Sequence, residues 1–230
     1  MFAVIFLVEP KTERWDDYLD LAKFLKPKLE AVDGFIDNER FASLRTRGRL
    51  LSLSTWRDEK AVVRWRTQGE HHGVQEKGRF EIFADYRLRV GEITHDTHPP
   101  AAMSIAASRL DETEVGDAKV ATITELTPEA GSASAATADT FAVQLGLDPG
   151  RVGLADIETF ESISGPGKRL LLGLWRNADA ANTWEPAHPA GAGTMRHRQV
   201  RIIRDYGMSD RREAPQYYRA VEPSRHMAAE

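Results

Sequence analysis

The chain has 230 residues, 31 of them basic and 35 acidic, a net charge of −4 and no cysteine. A balance this near neutrality gives no bulk signal for a polyanionic partner. The missing cysteines exclude disulfide scaffolds, cysteine-ligated zinc, iron–sulfur clusters and thiol nucleophiles.

In chain order, "MFAVIFLVEP" is apolar, β-branched and aromatic, which predicts a strand covered on both faces. It is too short to span a bilayer and lacks a basic leader and a cleavage site. No longer apolar run follows, so we expect no membrane span and a cytoplasmic protein. Trp15, Tyr18, Leu19, Ala22, Leu25 and Leu29 recur at helical spacing and predict an amphipathic helix over 13–31, kinked at Pro27. "FIDNERFASL" and "RLLSLSTW" read as a hairpin about "RTRG". A second helix is predicted from Asp58 to His72, and a strand over 79–93 with Tyr86, Leu88 and Val90 on one face and Arg87 and Arg89 on the other. This β-α-β-β-α-β order is the ferredoxin-like unit.

Residues 96–117, with Pro99-Pro100 and no period, read as a linker. Beyond it the order recurs: a strand over 118–126, a helix near 133–145, a hairpin about "GPG", a helix over 177–184 and a last strand "MRHRQVRIIRDYG". Setting 39–65 against 158–184, a shift of 119, matches 10 of 27 positions, including Glu39/Glu158, Trp56/Trp175 and Trp65/Trp184. We therefore predict an α+β fold of two tandem ferredoxin-like units, 1–95 and 118–207, whose antiparallel sheets pack as an intrachain α+β barrel. It would be a pseudo-dimer within one chain, with a further homodimer left open. Residues 208–230 form a tail. Its Pro215, Tyr217 and Tyr218 suggest a packed extended arm, and its last residues are expected to be mobile.

The pattern "GFIDNERFASL", "GRLLSLSTWRDEKAVVRWR" and "EHHGVQEKGRFEIFADYRLRV" resembles the antibiotic biosynthesis monooxygenase-like domains of the dimeric α+β barrel superfamily, over about 2–93 and more weakly over 118–206. The resemblance implies a monooxygenase acting without flavin or metal on a small aromatic or phenolic molecule and O2. Trp56 matches a tryptophan that closes the third strand in cofactor-free members. Four residues earlier those members carry an asparagine, and here Ser52 holds the position. Haem-degrading members match at Trp65 but place their histidine at the position of Gln75. A haem-binding alternative thus rests on a displaced His72. A third reading is a non-catalytic ligand-binding or assembly module.

From the residues themselves, Trp56 and Trp65, with Ser52 and Tyr86, are candidates to wall a pocket for a flat ligand, and otherwise are core residues. His72 falls seven residues after Trp65, on one helical face, and with His71 is a candidate base for a phenol. The alternative is an exposed helix end. Glu39 alternates with Phe41 and Ser43 towards an apolar interior and is a third candidate base. Arg64, Arg79, Arg87 and Arg89 could hold an anion, or lie on the surface. Adjacent histidines without a third ligand predict no metal site, and the alternation of "RHRQVRIIR" reads as a strand rather than a nucleic-acid patch.

Overall fold

The period-two pattern of the first strand is resolved by two apolar environments. The computed structural model describes residues 1–101, 103–129 and 138–218. In β1 (Phe2–Pro10), Ala3, Ile5 and Leu7 join one cluster while Phe2, Val4, Phe6 and Val8 join others on the opposite face. The inner cluster fills a barrel and the outer ones lie beneath helices.

The remaining elements are α1 (Trp15–Glu30), β2 (Phe35–Ser43), β3 (Leu50–Trp56), α2 (Glu59–Thr67), α3 (Gly69–Lys77) and β4 (Phe83–Asp96), then β5 (Val120–Thr127), α4 (Ala138–Gln144), β6 (Leu154–Ser162), β7 (Arg169–Trp175), α5 (Ala178–Asn182) and β8 (Thr194–Gly207). A π-helical turn, Gly78–Ile82, joins α3 to β4. The predicted helix near 133–145 is observed from Ala138. Its expected start lies outside the described residues, as does the end of the tail. No helix among the described residues is long and apolar enough to cross a membrane.

The eight strands close in the order β1-β3-β2-β6-β7-β5-β8-β4, all described pairings being antiparallel. The expected α+β barrel is observed as a closed one: β2 pairs β6 and β4 pairs β8, so that the sheets of the two halves join into one wall.

The β2–β6 seam explains the recurring glutamates. Ser43 Oγ donates to Glu158 Oε1 at 2.5 Å, and Ser162 Oγ donates to Glu39 Oε1 at 2.6 Å. Arg49 donates to the second oxygen of Glu158 at 3.0 Å and Lys168 to that of Glu39 at 2.5 Å. Each half supplies a serine to the other half's carboxylate, a reciprocal arrangement expected of an isologous contact.

Two equivalent glycines set the strand–helix approach. Gly34 and Gly153 have φ of +91° and +85°, and a Cβ there would meet Ala61 Cβ at 2.7 Å and Ala180 Cβ at 2.4 Å. Each following helix is capped alike: Asp58 accepts from the Ala61 N–H and Asn177 from the Ala180 N–H, both at 2.8 Å. Among the described residues, 97–101 and 103–119 form no helix or strand, yet the segment is held down. The buried Glu92 carboxylate accepts from the backbone N–H of Ser108 at 2.8 Å and of Arg109 at 2.9 Å.

Candidate functional site

Between the outer face of the first four strands and their helices lies a cavity of about 210 Å³. Its floor is the helix-facing set of four strands: Asn38 and Arg40 of β2, Ser52 and Ser54 of β3, Val4 and Phe6 of β1, Leu88 and Val90 of β4. Leu21, Ala22 and Leu25 of α1 and Val62 and Trp65 of α2 supply apolar walls. On the floor Asn38 Nδ2 donates to Ser52 Oγ at 3.1 Å and to the Leu53 carbonyl at 3.0 Å. Buried Tyr18 also lines the cavity, and burial raises its phenol pKa more than the neighbouring Arg40 lowers it.

The helix predicted over 58–72 is broken at Gln68, whose ψ of 130° is extended. That break corrects the assignment of one face to Trp65 and His72. With the turn count reset, His71 stacks on Trp65, ring centroids 4.0 Å apart and planes 16° apart, and lines the cavity. His72 is exposed, lies outside that cavity and stacks on Tyr218 at 5.8 Å. A haem held by His72 would sit on the outer side of α3, so these residues do not fit a haem in the cavity.

His71 Nδ1 lies 2.9 Å from the Trp65 carbonyl oxygen. A carbonyl only accepts, so Nδ1 carries the hydrogen and the lone pair is on Nε2. Burial pushes the His71 pKa down to about 4, against a smaller opposing effect of that hydrogen bond. The imidazole is neutral near pH 7.

The other expected residues divide. Ser52 and Tyr86 line the cavity with Trp65. Trp56 is fully buried beneath it, its indole N–H donating to Ser54 Oγ at 2.9 Å and its ring meeting Phe35 edge-on at 5.5 Å. Glu39 faces the barrel seam and does not line the cavity. Arg87 and Arg89 face inward and pair with Asp205, and Arg64 pairs with Asp33 on the surface. Arg79 donates to Tyr86 Oη at 3.1 Å and to the Met208 carbonyl at 2.7 Å.

The segment after β8 crosses the open side of the cavity, where Arg211, Pro215, Gln216 and Tyr218 join the lining. Gln216 Nε2 donates to Gln75 Oε1 at 3.1 Å, and Arg211 donates to Tyr86 Oη at 2.8 Å and to the Gln216 carbonyl at 2.9 Å. The packed arm anticipated at Pro215 and Tyr218 is thus a cover for this cavity, whereas Tyr217 is exposed.

Comparison with known proteins bears on this geometry. The profile of the antibiotic biosynthesis monooxygenase family matches residues 1–77. A "Jasmonate monooxygenase ABM" from Pyricularia oryzae (strain 70-15) is 40% identical over 223 residues, covering 95% of this chain and 98% of that protein. The chain belongs to the antibiotic biosynthesis monooxygenase family. Among solved structures, an aldoxime dehydratase aligns with a TM-score of 0.54 at 13% identity, over 87% of this chain and 80% of that one, a likeness of fold alone. An anthrone oxidase-like protein aligns with a TM-score of 0.37 at 12% identity, over 94% of this chain and 96% of that one.

In this family member the lining residues that the sequence reading missed include Asn38, Arg40, Arg66, Arg204, Arg211 and Gln216. A signal existed for the first two. They alternate with Glu39 onto the helix-facing side of β2, and their counterparts at a shift of 119 are Ile157 and Thr159. The other four come together only through the barrel closure and the return of the chain after β8.

Proposed function

We propose that this protein is a monooxygenase of the antibiotic biosynthesis type that oxidises a small, largely apolar molecule in the cavity beside Trp65 and His71. The observation that carries the reading is the neutral His71 in the wall of an apolar cavity, its Nε2 lone pair met by the Gln75 side-chain amide at the long distance of 3.5 Å. The relative from Pyricularia oryzae is named for jasmonate, a small cyclic ketone bearing a carboxylate, and a compound of that class is our first choice of substrate.

His71 Nε2 would take a proton from a carbon next to the ketone. The developing anion beside it offsets the burial penalty on the imidazolium. The carbanion passes one electron to O2, and the radical and superoxide recombine to a peroxide. The peroxide takes up a proton and loses water across its C–H and O–O bonds. The balance is CH2 + O2 giving C=O + H2O, with the substrate as reductant. The protein's share is positioning, exclusion of water and removal of one proton. A phenolic substrate is the second reading, favoured by the flat wall of stacked Trp65 and His71.

The repeated element order supports a further reading, that residues 1–95 and 118–207 are tandem units of one ancestral fold joined by 96–117. On that reading the barrel is a pseudo-dimer in which one unit keeps a pocket. The test is an oxygen electrode with jasmonate and with a panel of hydroxylated aromatics, followed by mass spectrometry of products formed under ¹⁸O2. We expect one labelled oxygen per product, and His71→Gln to lower the rate by about a hundredfold. No oxygen uptake with any of these compounds would remove the monooxygenase reading.

A further inference from the structure

Elsewhere in this protein, several arginines withdrawn from solvent have carboxylate partners. Arg198 pairs with Glu125 at 2.5 Å, Arg196 with Asp96 at 2.7 Å, and Arg49 with Glu9 at 2.6 Å and Glu158 at 3.0 Å. The cavity departs from that pattern. Arg40, Arg66, Arg204 and Arg211 line it, and among the described residues none of the four lies within 4.0 Å of a carboxylate oxygen. The acidic side chain that does line it, Glu59, is already engaged by Arg109.

Three of the four converge from separate elements. Arg66 comes from α2, Arg204 from β8 and Arg211 from the covering arm. All three line the cavity together with Tyr206, and the Arg211 guanidinium lies 5.5 Å over the Tyr206 ring. The Nε atoms of Arg66 and Arg211 are buried with no hydrogen-bond partner. Three like charges with no described carboxylate within 4.0 Å, two of them with an Nε donor unmade, are unfavourable unless an anion completes them.

Resting on the reading that this cavity is the substrate site, we infer that Arg66, Arg204 and Arg211, which line it from three separate elements, seat a carboxylate of the ligand. A carboxylate offers two oxygens to the forked donors of guanidinium, and its single charge suits a site whose other lining, Val4, Phe6, Leu88 and Val90, would meet an apolar body. Because Arg211 also bonds Tyr86 and Gln216, the seated anion would hold the covering arm against α3. The seat thus selects acids over their esters and ties ligand entry to closure.

Calorimetric titration of the full chain under argon, with jasmonic acid and methyl jasmonate and with octanoic acid and methyl octanoate, tests this without any turnover. We expect each acid to bind about tenfold or more tightly than its ester. Arg66→Gln and Arg211→Gln should each weaken the acid by about tenfold and leave the ester unchanged, with Arg211→Lys recovering part of the loss. Acid and ester binding equally, neither acid binding, or the variants weakening both forms alike would overturn the seat. If a variant melts early, the comparison of acid with ester on the unaltered protein still decides. Acid-selective binding with no oxygen uptake would keep the seat and remove the monooxygenase reading. Oxygen uptake with equal binding would do the reverse.

Discussion

The two halves of the barrel wall share strand order, capping and a tryptophan pair, yet one encloses a cavity and the other packs both tryptophans into a core. In the second half Trp184 stacks on Trp175, centroids 6.1 Å apart, and both are buried with Phe141, Leu145, Leu147 and Leu171. In the first half Trp65 is only half-buried against its core cluster, stacks on His71 and lines the cavity. The floor differs in the same sense: Asn38, Arg40, Ser52 and Ser54 stand where the second half has Ile157, Thr159, Leu171 and Gly173. The first half also has α3, and no helix lies between α5 and β8. One scaffold therefore supports either a packed layer or a binding site, according to whether the strand faces under the helices are apolar or polar.

The largest effect should separate the two tryptophans. Trp184→Ala empties a filled core and should cost about 3–5 kcal/mol in chemical denaturation, while Trp65→Ala, which borders a void, should cost about 1–2 kcal/mol. Equal losses would break the contrast between filled and open halves. Next, giving the first half the floor of the second, Asn38→Ile with Ser52→Leu, should lower kcat/KM by about a hundredfold or more and change the melting temperature little. A variant that keeps its activity would show that the floor does not shape the site.

Acid titration sharpens the comparison further, because each half holds one shielded imidazole beside its helix tryptophan. His197 meets Trp184 edge-on at 5.5 Å, and burial pushes its pKa down to about 4, as for His71. Unfolded, both titrate near 6.5. Between pH 6.5 and about 4 the unfolded chain binds more protons, so stability falls as the pH is lowered through that window. The slope is up to about 1.4 kcal/mol per pH unit for each histidine. His71→Gln and His197→Gln should each remove one proton from it in denaturation series across that range. The smallest effect is expected at the seam: Glu39→Gln should keep turnover within about threefold and cost at most about 1 kcal/mol, since its partners Ser162 and Lys168 lie at the seam and not in the cavity. A hundredfold loss of turnover would instead return Glu39 to the chemistry.

Much of the scaffold was legible in the chain. Alternation in "FAVIFLV" and "RLLSLSTW", the helical period from Trp15 to Leu29 and the shift of 119 give element order and internal symmetry, because both depend on local spacing of apolar side chains. Trp65, Ser52 and Tyr86 were readable as lining for the same reason. The face of the histidine pair was not. A single extended residue, Gln68, resets the helical phase, and nothing local to "TQGEHHG" separates a bend from a continuing helix.

What the sequence determined by itself is thus the repeat, the strand faces and the absence of cysteine chemistry. Tertiary structure alone decided which glutamates would meet serines across a seam, which histidine would meet Trp65, and that Arg66, Arg204 and Arg211 would line one cavity. Those encounters join residues up to 145 positions apart, as Arg66 and Arg211 are. Spacing along a chain encodes which face a side chain takes. It does not encode which distant face the closing of a barrel will bring opposite.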